Sequence, residues 1–375
     1  MSTKHFFQRD FSSQFLLPPT LVKEYAEKAP PCVAVITSGG DAPGMNPAVR
    51  AIVRGALNQG YRVYAVRDGY LGLCRGAVDD IVEMNWVDVS GIIHIGGTFL
   101  GTARSEEFRT EEGRKMVVFN LLSRGINRLI IVGGDGSLTG AQKLHANWPI
   151  FTDEILAALS KEEKSSPESW YGKHWRGRES DIHNLHIVGL VGSIDNDMGM
   201  TSMTIGCDSA LNRICSAVDI LSSTAASHQR VFVVEVMGRK CGWLALKAAV
   251  ACAADWVFVP ESPADLDWPE KLVSVICPKS ASFAKRSSIV IVAEGAQDRN
   301  MNPITAEMVR KTLQDGGAEA RITILGHVQR GGAPTFYDRA HVCLRLLAHI
   351  HSKTVAEHAS RTCSGAGDGE RLRKN

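Results

Sequence analysis

The chain has 375 residues, 44% of them hydrophobic, nine cysteines, and 42 Lys and Arg set against 40 Asp and Glu for a formal net charge of +2. That balance, with no basic block, leaves no electrostatic footprint for nucleic acid, and the apolar runs fall well short of the ~20 residues of a membrane-spanning helix. The cysteines are scattered without a Cys-x-x-Cys pair, so they read as reduced thiols of a cytoplasmic protein rather than as disulfides or a zinc site.

In chain order, residues 1–31 are polar and broken by Pro18 and Pro19, and are expected to form an N-terminal extension rather than a signal peptide. Residues 32–38 form a near-continuous apolar run that stops at Gly39-Gly40, the pattern of a strand covered on both faces. Beyond Asp41-Ala42-Pro43-Gly44-Met45, Asn46 is expected to cap a helix that has Pro47 at its first position and reaches Leu57. Similar short runs recur at 61–66, 128–132, 186–191, 231–236, 288–293 and 322–325. Helical patterns lie between them. The clearest covers 209–225, with Ala210, Leu211, Ile214, Val218 and Leu221 on one face and Asp208 as the expected cap. Alternating strands and helices predict an α/β fold with largely parallel sheets, whose ligands gather at the carboxyl ends of the strands. Residues 147–184 are expected to be a polar surface insertion, helical at its start, and 351–375 a disordered tail.

The run at 186–191 leads into Gly192-Ser193-Ile194-Asp195-Asn196-Asp197. Two carboxylates two residues apart on extended backbone point to the same side, so Asp195 and Asp197 are expected to face one pocket while Asn196 turns away. Such a pair suits proton abstraction or metal binding, although Asp and Asn also cap backbone amides in ordinary turns.

Three glycine-rich loops follow strands: Gly39-Gly40-Asp41-Ala42-Pro43-Gly44, Gly96-Gly97-Thr98-Phe99-Leu100-Gly101-Thr102-Ala103-Arg104, and Gly133-Gly134-Asp135-Gly136-Ser137. One such loop is most simply a tight turn. Three of them, two with an embedded Asp and one with an Arg, favour a polyphosphate site built from backbone amides and a helix N-terminus. There is no Walker A sequence, no protein-kinase His-Arg-Asp or Asp-Phe-Gly, and no Gly-x-Gly-x-x-Gly after the first strand. Phosphoryl transfer needs a cation, a base and positive donors; Asp135 is suited to Mg²⁺, Asp195 to the base, and Arg104 and Arg239 to the transferring phosphoryl. A second set, His228-Gln229-Arg230, Met237-Gly238-Arg239, Glu294-Gly295, Arg321 and Gly326-His327-Val328-Gln329-Arg330, suits an anionic sugar, because arginine forks match phosphate and a lone carboxylate matches hydroxyls.

Taken in order, Gly-Gly-Asp-Ala-Pro-Gly-Met-Asn, Gly-Gly-Asp-Gly-Ser, Gly-Ser-Ile-Asp-Asn-Asp, Ser-His-Gln-Arg, Val-Met-Gly-Arg and Gly-His-Val-Gln-Arg-Gly-Gly closely resemble the ATP-dependent 6-phosphofructokinase family from about Cys32 to Arg339. The wording is closest to the N-terminal catalytic half of the duplicated eukaryotic members. The resemblance implies two Rossmann-like domains of the phosphofructokinase fold, an ATP-binding domain over 32–192 and a substrate-binding domain over 193–350, with glycolytic phosphorylation of fructose 6-phosphate at O1. It implies ATP binding by Gly40, Arg104, Ser105, Gly134, Asp135, Gly136 and Ser137, with Asp135 on Mg²⁺. It further implies sugar-phosphate binding by Ser193, Ile194, Asp195, Arg230, Met237, Gly238, Arg239, Glu294, Arg321, His327, Val328, Gln329 and Arg330, with Asp195 as base and Arg239 and Arg104 as its catalytic partners. Arg230 and Arg321 would serve a neighbouring subunit's site in a homo- or hetero-oligomer, the family being usually tetrameric, and Arg50 and Arg54 match an effector site of bacterial members. Pyrophosphate-using members carry a second Asp and a Lys where Gly136 and Gly192 stand, which points to ATP as donor. The chain departs from the family at Met200-Thr201-Ser202 and after Tyr337-Asp338-Arg339, where the usual continuation gives way to a His- and Arg-rich sequence. That ending raises a non-catalytic or truncated regulatory subunit as the alternative.

Overall fold

A computed structural model describes residues 30–277, 287–341 and 343. The expected N-terminal extension and C-terminal tail lie outside these residues, apart from Pro30 and Pro31. The first sheet contains β1 (Cys32–Ser38), β2 (Arg62–Val66), β3 (Ile81–Met84), β4 (Ile126–Gly133), β5 (His186–Ser193) and β6 (Ile205–Gly206) in the order β3-β2-β1-β4-β5-β6. Every pairing is parallel except β2 with β3. The second sheet has the order β10-β7-β9-β8, all parallel, from β7 (Val231–Val236), β8 (Trp256–Phe258), β9 (Ser288–Ala293) and β10 (Ala320–Ile324).

The helices in chain order are α1 (Met45–Asn58), α2 (Tyr70–Arg75), α3 (Glu111–Leu122), α4 (Asp135–Ala158), α5 (Lys161–Ser165), α6 (Trp170–His174), α7 (Cys207–His228), α8 (Trp243–Ala251), α9 (Trp268–Ile276) and α10 (Ala306–Asp315). All seven residues of β1 are buried, and the strand's two-residue period sorts them. Val33 and Val35 join a core with α1, α7, α8 and the inner faces of β7 and β9, whereas Ala34 and Ile36 join α3 and α4 on the opposite side. A third cluster lies outside the second sheet, where Val231, Val233, Val290 and Val292 meet Leu272 of α9 and Val309 and Leu313 of α10. The first of these cores carries residues from both sheets without a break, and the first sheet continues to Gly206, past the expected division at 192/193.

The stretch 147–184 is helical at its start, as expected, but it is not only surface. Trp148, Phe151 and Ile155 of α4, with Trp175 and Ile182, are buried in the second cluster. The Trp148 indole donates to the Ile182 carbonyl at 3.0 Å, and the Trp175 indole to the Leu122 carbonyl at 2.8 Å. Averaged composition hid this, because a few aromatics at wide spacing do the burying while charged residues fill the solvent side.

Two expected caps fail. α1 begins two residues earlier than expected, with Gly44 as N-cap, and Asn46 is buried in its first turn. Its amide instead donates to the carbonyls of Ile95 and Gly96 and accepts from the Phe99 amide at 2.6 Å, so it grips the second glycine loop. α7 is preceded by Gly206, not capped by Asp208, whose carboxylate accepts from the Thr335 hydroxyl. In both cases a long-range partner outbids the local amide for the side chain.

Trp148→Ala should lower stability by about 3–5 kcal/mol, the usual range for deleting a fully buried Trp. Trp148→Phe, losing chiefly the Ile182 hydrogen bond, should cost about 1–3 kcal/mol. Denaturant midpoints at constant slope would check both.

Candidate active site

Parallel pairing sets Ser38 beside Gly133 and Gly133 beside Val191, so β1, β4 and β5 end at one level. Their loops line a cleft of about 560 Å³ walled by Gly39, Gly40, Arg104, Ser105, Gly134, Asp135, Gly136, Ser137, Gly192 and Ser193. All seven residues expected to bind the phosphate donor therefore meet in one place. Asp135 and Gly136 open α4 and are exposed, with their amides in the first turn of a 24-residue helix. A side chain on Gly136 would meet nothing within 4 Å, so this end of the cleft stays open. The second loop is tied in place by Asn46, by Thr37 donating to the Gly101 carbonyl at 2.8 Å, and by Thr102 donating to the Gly39 carbonyl at 2.7 Å.

The cleft continues onto residues not singled out from the sequence: Tyr70, Phe108, Arg109, Arg114, Gly140 and Lys143. Tyr70 and Phe108 stack with centroids 4.0 Å apart, and the Tyr70 hydroxyl donates to the Ser137 carbonyl at 2.7 Å. This joins an aromatic, cationic wall to the glycine floor. A signal was present in Phe108-Arg109 shortly after Arg104, but nothing local tied it to Tyr70.

Asp195 sits just past β5 and is half-buried. Burial raises its carboxyl above the ordinary carboxylate value; Arg330 opposes that shift, Asp197 and Glu294 add to it, and Arg239 opposes it. Its Oδ1 is buried and receives no hydrogen bond from any described residue. The extended backbone expected between Asp195 and Asp197 does not form, although Asp197 lies near enough for its charge to raise the Asp195 pKa. Asn196 adopts φ 53°, so the backbone leaves the extended region, and Asp197 is exposed. Asn196 also does more than turn away: it accepts from the Thr204 amide and donates to the Ser202 carbonyl, while the Thr204 hydroxyl donates to the Ser193 carbonyl at 2.5 Å. These bonds close the loop between β5 and β6 on itself.

Arg239 donates to Glu294 at 2.8 Å across neighbouring strand ends, and this bond raises the pKa of its guanidinium. The loops carrying them are locked by the Gly295 amide donating to the Gly238 carbonyl at 3.0 Å. Arg330 reaches the glycine loops: its Nη1 donates to the Asp41 carbonyl at 3.2 Å and lies 3.0 Å from where a Cβ on Gly40 would stand, so a side chain there would press on the guanidinium. His327 and Val328 are exposed on the same short 3₁₀ turn, Gly326–Gln329.

Two residues expected to contact substrate turn their side chains inward. Ile194 is wholly buried in the core, and Gln329 is wholly buried, accepting from the Met237 amide and donating to the Gly326 carbonyl. Both side chains hold ligand-facing loops from behind, because apolar burial and backbone satisfaction claim them first. Arg230 and Arg321 do not join the site of their own chain. Both pair with Glu319, at 2.7 and 2.9 Å, at the amino end of the second sheet, while Arg239 follows the carboxyl end. Six residues of β7 separate the ends, roughly 20 Å at the usual strand rise. Arg54 stacks 4.5 Å over Trp86 and donates to Ser90, with its pKa lowered by burial and then by Arg50.

Two largely parallel α/β sheets with a glycine-floored, arginine-rimmed cleft and a desolvated aspartate define an α/β protein with a candidate phosphate site. The chain belongs to the phosphofructokinase family: the family model matches residues 32–350. It is 50% identical over 307 residues to an ATP-dependent 6-phosphofructokinase of Dictyostelium discoideum, covering 82% of this chain and 35% of that protein. It is 49% identical over 308 residues to a muscle-type ATP-dependent 6-phosphofructokinase of Macaca fascicularis, covering 82% of this chain and 38% of the relative. The solved phosphofructokinase of Saccharomyces cerevisiae superposes with a TM-score of 0.78 at 47% identity, over 86% of this chain and 41% of that one. The chain thus spans little more than a third of the length of these relatives.

Because Asp195 is held above its ordinary pKa, the folded state binds its proton more tightly than the unfolded chain does. Its contribution to stability is therefore full below the unfolded carboxylate range and is lost as pH rises through the folded value. Asp195→Asn should accordingly raise Tm at pH 7, with the gain shrinking as pH falls toward 4. Thermal melts across that range would read this, and a lower Tm at neutral pH would contradict it.

Proposed function

We propose that this chain transfers the γ-phosphoryl group of ATP to O1 of fructose 6-phosphate, giving fructose 1,6-bisphosphate and ADP, as a cytoplasmic glycolytic enzyme. The observation that carries this reading is the Asp195 carboxylate, raised in pKa by burial and set among Arg330, Glu294 and Arg239 beside Ser193 of the glycine-lined cleft. In this mechanism Asp195 takes the O1 proton as the oxygen attacks the γ-phosphorus, and the bond from that phosphorus to the bridging oxygen of ADP breaks. Arg104 and Arg239 stabilise charge on the transferring group, while Gly40, Ser105 and Gly134 to Ser137 hold the donor. Arg330, in contact with the first glycine loop, keeps donor and acceptor adjacent. Ser193, Met237, Gly238, Glu294, His327 and Val328 frame the sugar.

Asp135 is the residue suited to Mg²⁺. It is an exposed hard-oxygen ligand at the mouth of the cleft, and no cluster of three or more His, Cys, Asp or Glu that would form an all-protein metal cage occurs among the described residues. One carboxylate completed by waters and substrate oxygens fits the preference of Mg²⁺. When bound, the ion neutralises charge on the phosphate oxygens.

ATP is favoured over pyrophosphate as donor because Gly136 leaves its end of the cleft open, and the relatives of about 50% identity are ATP-dependent by name. The position of Arg230 and Arg321, far from the Asp195 of their own chain, supports a homo- or hetero-oligomer in which each subunit completes its neighbour's sugar-phosphate site. Among the described residues no helix is long and apolar enough to cross a membrane.

A coupled assay on the purified chain, run beside its solution mass, tests the reading. Turnover is expected with Mg-ATP and not with pyrophosphate, and Asp195→Ala should lower kcat on the order of 10²–10⁴-fold with a smaller change in KM. A chain that binds fructose 6-phosphate without turning it over would defeat the proposal. For the shared site, Asp195→Ala and Arg321→Ala chains, each inactive alone, should regain activity when co-assembled; no recovery in a confirmed mixed oligomer would place each site within one subunit.

A further inference from the structure

The loop that carries Asp195 leaves the first sheet through β6 and enters α7, and this junction has an unusual owner. Gly206, the residue before α7, has φ 101°, and a Cβ there would stand 2.7 Å from Ala42 Cβ and 3.1 Å from Pro43 Cδ of the first glycine loop. No side chain fits there, so the residue preceding α7 offers it no side-chain cap. The carboxylate that does the capping comes from the far end of the chain. Asp338 is almost fully buried; its Oδ1 accepts from the Gly206 amide at 2.9 Å, and its Oδ2 from the Ser209 amide at 3.0 Å and the Ser209 hydroxyl at 2.5 Å. One carboxylate thus satisfies the N-cap and third-residue amides that a capping box would divide between two side chains. The same side chain lies 3.3 Å from where a Cβ on Gly44 would be, so it also abuts the first glycine loop. Its own segment is fastened to α7 by the Thr335 hydroxyl on Asp208, the Thr335 amide on the Ser209 hydroxyl, and Arg213 on the Ala333 carbonyl at 2.7 Å.

We propose that Asp338 is a positioning residue for the reaction: it clamps the exit of the 193–206 loop against the first glycine loop and thereby sets where the Asp195 carboxylate stands relative to the phosphate cleft. The connection is continuous. Asp338 holds Gly206; Gly206 and Ile205 pair with Ser193 and Gly192; Thr204 bonds Ser193 and Asn196; and Asp195 lies between them. This inference rests on Asp195 acting as base, and it assigns a role to Asp338 and Ser209, which the motif-based reading left unused.

The test uses the full chain and two readouts. In Asp338→Asn, where an amide replaces one of the two acceptor oxygens, amide hydrogen exchange should accelerate selectively over 194–209, and kcat should fall on the order of ten- to a hundred-fold, as for a displaced catalytic group, while KM for the nucleotide stays within about twofold. Ser209→Ala keeps both backbone bonds and should show the same pattern to a smaller degree, which preserves the test if Asp338→Asn folds poorly. Val309→Ala, in the core outside the second sheet, serves as a control that lowers stability without loosening 194–209 or lowering kcat. If exchange over 194–209 in the Asp338 and Ser209 variants rises no more than in the Val309 control, the clamp is refuted. If it rises while kcat holds, Asp338 is structural only. A wild-type chain without activity would instead refute the proposed reaction, and the exchange data would still decide the clamp.

Discussion

Parallel register among β1, β4 and β5 is the constraint on which the rest of the molecule depends. Level pairing of Ser38 with Gly133 and of Gly133 with Val191 makes three separate chain reversals occur at one edge of one sheet. A one-residue slip in any of these pairs would turn a buried strand's alternate side chains toward the wrong core, and every residue of β1 is buried. The hydrophobic effect that fixes the register therefore also brings the loops of the cleft to one edge, where hydrogen bonds then tie them.

Within that frame the site is arranged around charges that are incompletely satisfied. Asp195 keeps a buried oxygen without a hydrogen-bond donor among the described residues, while Arg104 lines the cleft without a carboxylate partner among them. The buried Asp195 oxygen costs folding free energy, the exposed Arg104 does not, and both are left available to a ligand. Around them, several buried polar side chains are paired with backbone groups. Asn46, Gln329 and Asp338 are all buried, each spans two or more backbone segments, and none faces the cleft. A few reactive side chains are thus held by a larger set of buried polar ones that hold loops and not ligands.

The motifs carried much of the candidate site into view before any coordinates, because loop chemistry is local: glycines before a helix, an aspartate after an apolar strand, an arginine beside a glycine. Where the reading failed, a residue's type was right for a ligand but tertiary packing had a prior claim on it. Ile194 and Gln329 lie within ligand-binding motifs yet face inward; Asn46 and Asp208 have the chemistry of helix caps yet bond elsewhere. The aromatic wall of Tyr70 and Phe108 was missed because the two residues are distant in sequence and meet only through α2 and the turn at Glu107–Arg109.

The amino-acid sequence by itself determined the α/β class, the main parallel strands, the three glycine-rich loops and the aspartate at the end of β5, since each follows from periodicity or from residue chemistry within a few positions. Only the tertiary structure decided that the two sheets share a continuous core, that Arg230 and Arg321 stand at the opposite end of the second sheet from Arg239, and that Asp338 caps a helix begun at Cys207. Those outcomes depend on which surfaces and which unsatisfied amides come to face one another, and such partners are chosen by packing in three dimensions, which no local pattern records.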